Sequence, residues 1–265
     1  MNEIEEIKTK LEGIAGDIAR RLDEPLKSEV ISYYRRHRCR LVYQLHRILQ
    51  EGKDEGSILE IGPYPGLVSI YLAREGYNVE VVEYPRPEMK HLEKMYMELG
   101  VNRVIYRDLA KENIGSEERY DIILMFEVIE HIPAHPYSIF RKIHEVLKRQ
   151  GKLYLSTPNL LNSFNRISLL KGVEPFPLYK YSLETTKGHF REYSVQELRA
   201  AMRQAGLDMI EYKILDKEDY CRHIGENAKT SISVRISRGI IRLLGGKGPL
   251  KWSIFAVAQK GSSIE

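Results

Sequence analysis

From Ser57 to Asn159 the chain alternates short apolar runs with longer amphipathic stretches, and this alternation constrains the fold more than any other feature. SILEI, NVEVVE, NRVIYRD, YDIILMF and KLYLSTPN have the length of strands. LVSIYLARE, PRPEMKHLEKMYMELG and YSIFRKIHEVLKRQG stand between them as helices, the second ending at Gly100. YDIILMF is unbroken in its apolarity after Asp121, as expected of a buried parallel strand. Such alternation predicts an α/β domain with a parallel sheet and helices on both faces. SVQELRAAMRQAG adds a helix with Ser194 as N-cap and Gly206 as stop. LDMIEYKIL and KWSIFAVAQ read as two late strands, which makes seven.

Residues 1–52 read as an N-terminal helical extension to a domain over 53–265. Ile4, Ile7, Leu11, Ile14 and Ile18 recur at helical spacing, Pro25 marks a break, and Val30 to Leu49 forms a second helix crowded with Arg and Tyr. After Asn159 the regularity lapses. An insertion over about 160–192 reads as a cap on the sheet's carboxyl edge, and a basic segment over about 222–251 is interrupted by Gly. Hydrophobic residues at 43% and charged residues at 29% exclude a disordered chain. Cys39 and Cys221 have no metal-ligand spacing and suggest no disulfide framework, so a reducing cytoplasm is the expected location. MNEIEEIKTK lacks the apolar core of a signal peptide, and no apolar run approaches the roughly 20 residues that span a bilayer.

Open α/β sheets bind ligands beyond the carboxyl ends of their strands. The loop after the first strand reads Glu60-Ile61-Gly62-Pro63-Tyr64-Pro65-Gly66. Glycine there admits close backbone approach, and the helix from Leu67 aims its N-terminus at the bound group. Glu83 ends the second strand about 20 residues on, where a carboxylate can accept both hydroxyls of a ribose. Glycines and Glu83 alone suit a nicotinamide dinucleotide as well; Glu60 and Asp108, each at a strand end, narrow the choice. The pattern resembles the class I S-adenosylmethionine-dependent methyltransferases, except that Tyr64 replaces the middle glycine. The resemblance implies a Rossmann-like, seven-stranded, mostly parallel sheet. It also implies cofactor contacts at Glu60, Gly62, Pro63, Gly66, Glu83, Tyr84, Asp108 (to the adenine amino group), Leu109 (on the ring) and Glu127.

The fourth strand runs into FEVIEHIPAHP. Glu127, Glu130 and His131 stand at i, i+3 and i+4, so one helical turn would present all three on one face. Two carboxylates and an imidazole there could hold a hard divalent cation, Mg or Mn. The segment resembles ubiquinone-biosynthesis O-methyltransferases and small-RNA 2′-O-methyltransferases, in which Glu-x-x-Glu-His carries a metal. The small-RNA enzymes add a downstream histidine, and His189 in KGHFREYS has the matching position. The resemblance implies a metal site of Glu127, Glu130, His131 and His189, and deprotonation of a catechol or vicinal-diol hydroxyl. The same letters also occur without a metal. Glu127 would then meet the cofactor's amino group, Glu130 would cap the turn, and His131 would be the general base.

The expected acceptor is a small or lipid-linked hydroxyl compound. Phe164, Phe176, Tyr179 and Tyr181 either line its pocket or pack the cap. Arg222, Lys229, Arg235, Arg238, Arg242, Lys247 and Lys251 interleave with apolar residues, which fits a solvated basic helix or peripheral membrane contact. The same two readings apply to Arg35, Arg36, Arg38 and Arg40. A net charge of +4 does not itself imply nucleic acid. N- or C-methylation, a nucleic-acid acceptor and a non-catalytic cofactor-binding module remain alternatives.

Overall fold

The computed structural model describes residues 2–50, 56–85, 90–173, 175, 188–248 and 250–261. Phe176, Tyr179 and Tyr181 lie outside them. Helices α1 (Glu3–Ala19) and α2 (Leu26–Leu49) precede strand β1 (Ser57–Ile61). There follow α3 (Leu67–Arg74), β2 (Asn78–Glu83), α4 (Lys90–Glu98), β3 (Arg103–Tyr106), β4 (Tyr120–Phe126), α5 (Pro136–Val146), β5 (Leu147–Pro158) and α6 (Ser163–Leu170). The chain continues through α7 (Val195–Gln204), β6 (Leu207–Leu215), α8 (Lys217–His223), α9 (Ile232–Leu243) and β7 (Ser253–Lys260).

The seven strands form one sheet in the order β3-β2-β1-β4-β5-β7-β6. The first five are parallel, and β7 runs antiparallel to both β5 and β6. Because successive strand residues face opposite ways, each strand feeds two cores. Ile58, Val79, Val81, Leu124 and Tyr154 pack under α1, α2, α3 and α4. Leu59, Ile61, Val82, Ile123 and Leu153 pack under α5 and α7. The helices start where caps allow. Asn162 accepts from Phe164 and Asn165 at the head of α6, and Ser194 with Glu197 forms a capping box on α7.

Three features differ from the sequence reading. The helix expected to run through Gln150 ends at Val146, and Leu147 already pairs with Tyr120. Gln150 takes φ +60, which no helix accommodates, and the chain turns there into the long arm of β5. Second, α1 and α2 are built into the sheet's core: Ile7, Leu11, Val42 and Leu45 share it with Tyr154 and Phe255. Third, Cys39 on α2 and Cys221 on α8 are joined in a disulfide, a pairing 182 residues apart that spacing could not reveal.

Candidate active site

The glycine loop closes β1 against β2. Gly62 donates to the Val82 carbonyl at 2.8 Å, and Gly66 to the Pro63 carbonyl at 2.5 Å. Both glycines are required by geometry. Gly62 has φ +67 and a Cβ there would meet Val128 at 2.6 Å; Gly66 has φ +94 and a Cβ would overlap the Tyr96 ring. Pro63 is buried beside them. Tyr33, Arg40, Gln44, Glu60, Tyr64 and Phe126 help to enclose a cavity of about 20 Å³ at this loop. That is room for roughly one water.

Glu60 points into this enclosure and is buried. Ser69 on α3 donates to its carboxylate. Burial raises the Glu60 carboxyl to about 8, against the opposing pull of the Ser69 hydrogen bonds and with a further push from Glu83. Glu83 is buried at the end of β2, and Tyr84, which is exposed, donates its N–H to Oε1 at 3.1 Å. The buried Tyr96 phenol is held well above its ordinary value by burial first and then by the Glu83 charge. Asp108 follows β3; Oδ1 accepts from Ala110 N at 3.0 Å and Oδ2 faces Lys111 Nζ at 3.1 Å, so it holds its own turn. Leu109, expected on a purine face, is buried in the core with Val82 and Ile105.

Beyond β4 the backbone turns sharply. Glu127 has φ +57 and donates its N–H to the Ser156 carbonyl at 2.8 Å. The helical turn begins only at Ile129 and is a 3-10 turn over Ile129–His131. Glu127 therefore does not share the face of Glu130 and His131. Its carboxylate instead takes Arg40 Nη1 at 3.0 Å and the Ser156 hydroxyl at 2.7 Å. The structure thus gathers three of the four expected metal ligands: one ligand atom each from Glu130, His131 and His189 lies within 4.8 Å of the others. His189 arrives by backbone pairing, since Phe190 N and Arg191 N both donate to the Glu130 carbonyl, at 2.7 and 3.1 Å.

The chemistry of this trio is set by its neighbours. Thr157 donates to Glu130 Oε2 at 2.9 Å. Oε1 is buried and has no hydrogen-bond partner among the described residues; it lies 3.9 Å from His131 Nε2. Burial, and behind it the Glu127 charge, keeps the Glu130 carboxyl well above the usual carboxylate range. His131 Nδ1 meets the Gly188 carbonyl at 2.8 Å and His189 Nδ1 meets Glu192 Oε1 at 2.9 Å. Both partners accept, so each Nδ1 donates, and in the neutral form of either ring the lone pair is on Nε2. Metal-binding imidazoles are oriented in this way. A buried acid with an orphaned oxygen beside two such rings fits a divalent cation.

Arg40 is the residue the sequence reading missed, having grouped it with three neighbours on a basic face. Its side chain is only 15% exposed. Burial works against its charge, yet Glu127 and Tyr33 outweigh that and hold it firmly protonated. A signal was present: Arg40 and Gln44 are one helical turn apart on the stripe that α2 buries, and Gln44 donates to Ser156 at 3.1 Å.

The sequence matches a family model described as "Methyltransferase domain" over residues 33–212. It is 28% identical to the ubiquinone biosynthesis O-methyltransferase of Leptothrix cholodnii over 193 residues, 70% of this chain and 79% of that one. It is 32% identical to the enzyme of the same name from Xanthomonas axonopodis pv. citri over 159 residues, 57% of this chain and 62% of that one. The second match spans just under two thirds of the relative's length. The fold superimposes on a SAM-dependent methyltransferase from Methanosarcina mazei with a TM-score of 0.55 at 16% identity, covering 82% and 98% of the two chains.

Proposed function

The chain belongs to the methyltransferase domain family and is an S-adenosylmethionine-dependent methyltransferase; from that premise we propose that it methylates a hydroxyl of a catechol or vicinal diol, on a small or lipid-linked molecule, with a divalent cation at Glu130, His131 and His189. The observation that carries this reading is the buried Glu130 Oε1, orphaned beside two histidines whose Nδ1 atoms are both engaged. That relatives are named O-methyltransferases supports an oxygen acceptor.

Two imidazoles and one carboxylate would suit manganese or another first-row divalent cation better than magnesium, and such a cation when bound would lower the pKa of an acceptor hydroxyl. The protein's own residues do the rest. Arg40 and Glu127, paired at the glycine loop, match the carboxylate and ammonium of the cofactor's amino-acid head. Glu83, at the end of β2 next to the strand that leads into the glycine loop, would accept the ribose hydroxyls. S-adenosylmethionine, when bound, would supply a sulfonium methyl open to in-line attack by the deprotonated acceptor oxygen, with the C–S electron pair leaving on sulfur as S-adenosylhomocysteine. Catalysis is then mostly positioning.

A second reading follows from the same tautomer. With its lone pair on Nε2, His131 could itself take the hydroxyl proton, with Glu130 beside it as a neutral acid. Chelation separates the two. The enzyme is assayed with a catechol acceptor before and after exhaustive chelation, with magnesium or manganese then returned. The cation reading expects a loss of about 100-fold or more, reversed by the metal and absent as a response in His189→Ala. Full turnover in chelator would remove the cation and leave His131 as the base.

A further inference from the structure

Helix α9 is apolar on two opposite sides, and among the described residues only one of them is packed against the fold. Val234, Ser237 and Ile241 face inward, and Ser237 bonds to Ser163 of α6 at 2.9 Å. Ile232, Ile236, Ile240 and Leu243 face outward and are 74%, 57%, 43% and 87% exposed. At about 100° per residue these four fall within an arc of about 80°. Leu169, Leu170 and Val173, at and just beyond the end of α6, are exposed as well, and Arg166, Leu169, Leu170, Ile241 and Leu244 line a groove of about 380 Å³ between the two helices. An exposed apolar stripe of this length marks an interaction site.

Its electrostatics are one-sided. The sequence has no Asp or Glu from 227 to 264, nor from 160 to 173. Some cations of these stretches are used internally: Arg238 on Asp216, Lys251 on Asp219 and Arg166 on two carbonyls. Arg235 and Arg242, flanking the outward stripe, are exposed and make no ion pair among the described residues; Lys171 and Lys247 are exposed as well.

We infer that this α6–α9 face docks on an anionic phospholipid surface. Apolar residues outward with arginines alongside is the composition of an interfacial helix: the side chains enter the acyl boundary and the guanidinium groups meet lipid phosphates. A second copy of the chain fits less well, because a two-fold contact would press this cationic face against itself. A nucleic acid would meet the arginines but leave the isoleucine stripe unsatisfied. The face also adjoins the candidate active site. Asn165 of α6 donates to Glu192 Oε2 at 2.7 Å, and Glu192 Oε1 takes His189 Nδ1. A bilayer held there would present a lipid-linked acceptor near the histidine pair; that last step rests on the proposed function, whereas docking itself does not.

The test is flotation of the full chain with vesicles of phosphatidylcholine alone or mixed with phosphatidylglycerol, alongside emission from Trp252, the only tryptophan. Binding to the mixed vesicles should exceed binding to phosphatidylcholine by about tenfold or more and should weaken with salt. Ile236→Asp with Leu243→Asp should lower it by a similar factor, as should Arg235→Glu with Arg242→Glu, with melting temperature and cofactor affinity unchanged. The inference is overturned if the mixed vesicles are not bound, if neither pair of substitutions weakens binding, or if the chain is a dimer that Leu243→Asp converts to monomer.

Discussion

Glu60→Gln tests whether the carboxylate at the head of the glycine loop is held as a neutral acid. In the fold its carboxyl titrates at about 8, against an ordinary 4.5, chiefly because it is buried. The folded chain therefore keeps a proton that the unfolded chain releases. This stabilisation is complete below pH 4.5 and is lost as pH rises through about 8. At 1.36 kcal/mol per unit, the part falling between pH 5 and pH 9 is about 4 kcal/mol. Glutamine keeps the shape and still accepts from Ser69, but does not titrate. Urea unfolding of both proteins without ligand should show the variant gaining on the wild type across that range. The gap between their midpoints should widen by about 1 M or more. Curves that stay parallel from pH 5 to pH 9 would show Glu60 to be ionised in the fold, and the account of the loop would fail.

Gly66→Ala sets a side chain against Tyr96 at φ +94, so a loss of about 2–4 kcal/mol and a lower melting temperature are expected; an unchanged melt contradicts the packing described. Arg40→Met strands Glu127 and should cost about 3–5 kcal/mol, of which Glu127→Gln added to it restores a part; additive losses in that double-mutant cycle would deny the pair. Glu83→Ala should weaken S-adenosylmethionine binding by about tenfold or more at unaltered stability, and equal affinity by calorimetry would refute its ribose role.

The parts legible in the sequence were those whose physics is local. The valines of NVEVVE and the ILM run of YDIILMF are buried because both sheet faces are covered, and the two segments appear as β2 and β4 within the bounds expected. Ser194 and Gly206 delimit α7 as their capping chemistry requires. What spacing could not supply were backbone exceptions and long-range partners. The i, i+3, i+4 pattern assumed a helical turn already formed at Glu127, but that residue takes φ +57 and its carboxylate turns to Arg40. Arg40 looked like one arginine of four until α2 was laid against the ends of β4 and β5. The helical pattern of α5 ran on through Lys148 and Arg149 because nothing local announced the pairing of Leu147 with Tyr120. His189 reaches His131 through backbone bonds to Glu130, which only the family resemblance anticipated.

The most direct measurement is a calorimetric titration of the full chain with S-adenosylhomocysteine, with NAD as control. The account predicts saturable binding at one site per chain, weakened in Glu83→Ala and in Arg40→Met, and no heat from NAD. Binding of NAD with none of S-adenosylhomocysteine or S-adenosylmethionine would contradict it, because the loop, Glu83 and the Arg40–Glu127 pair would then serve a different cofactor.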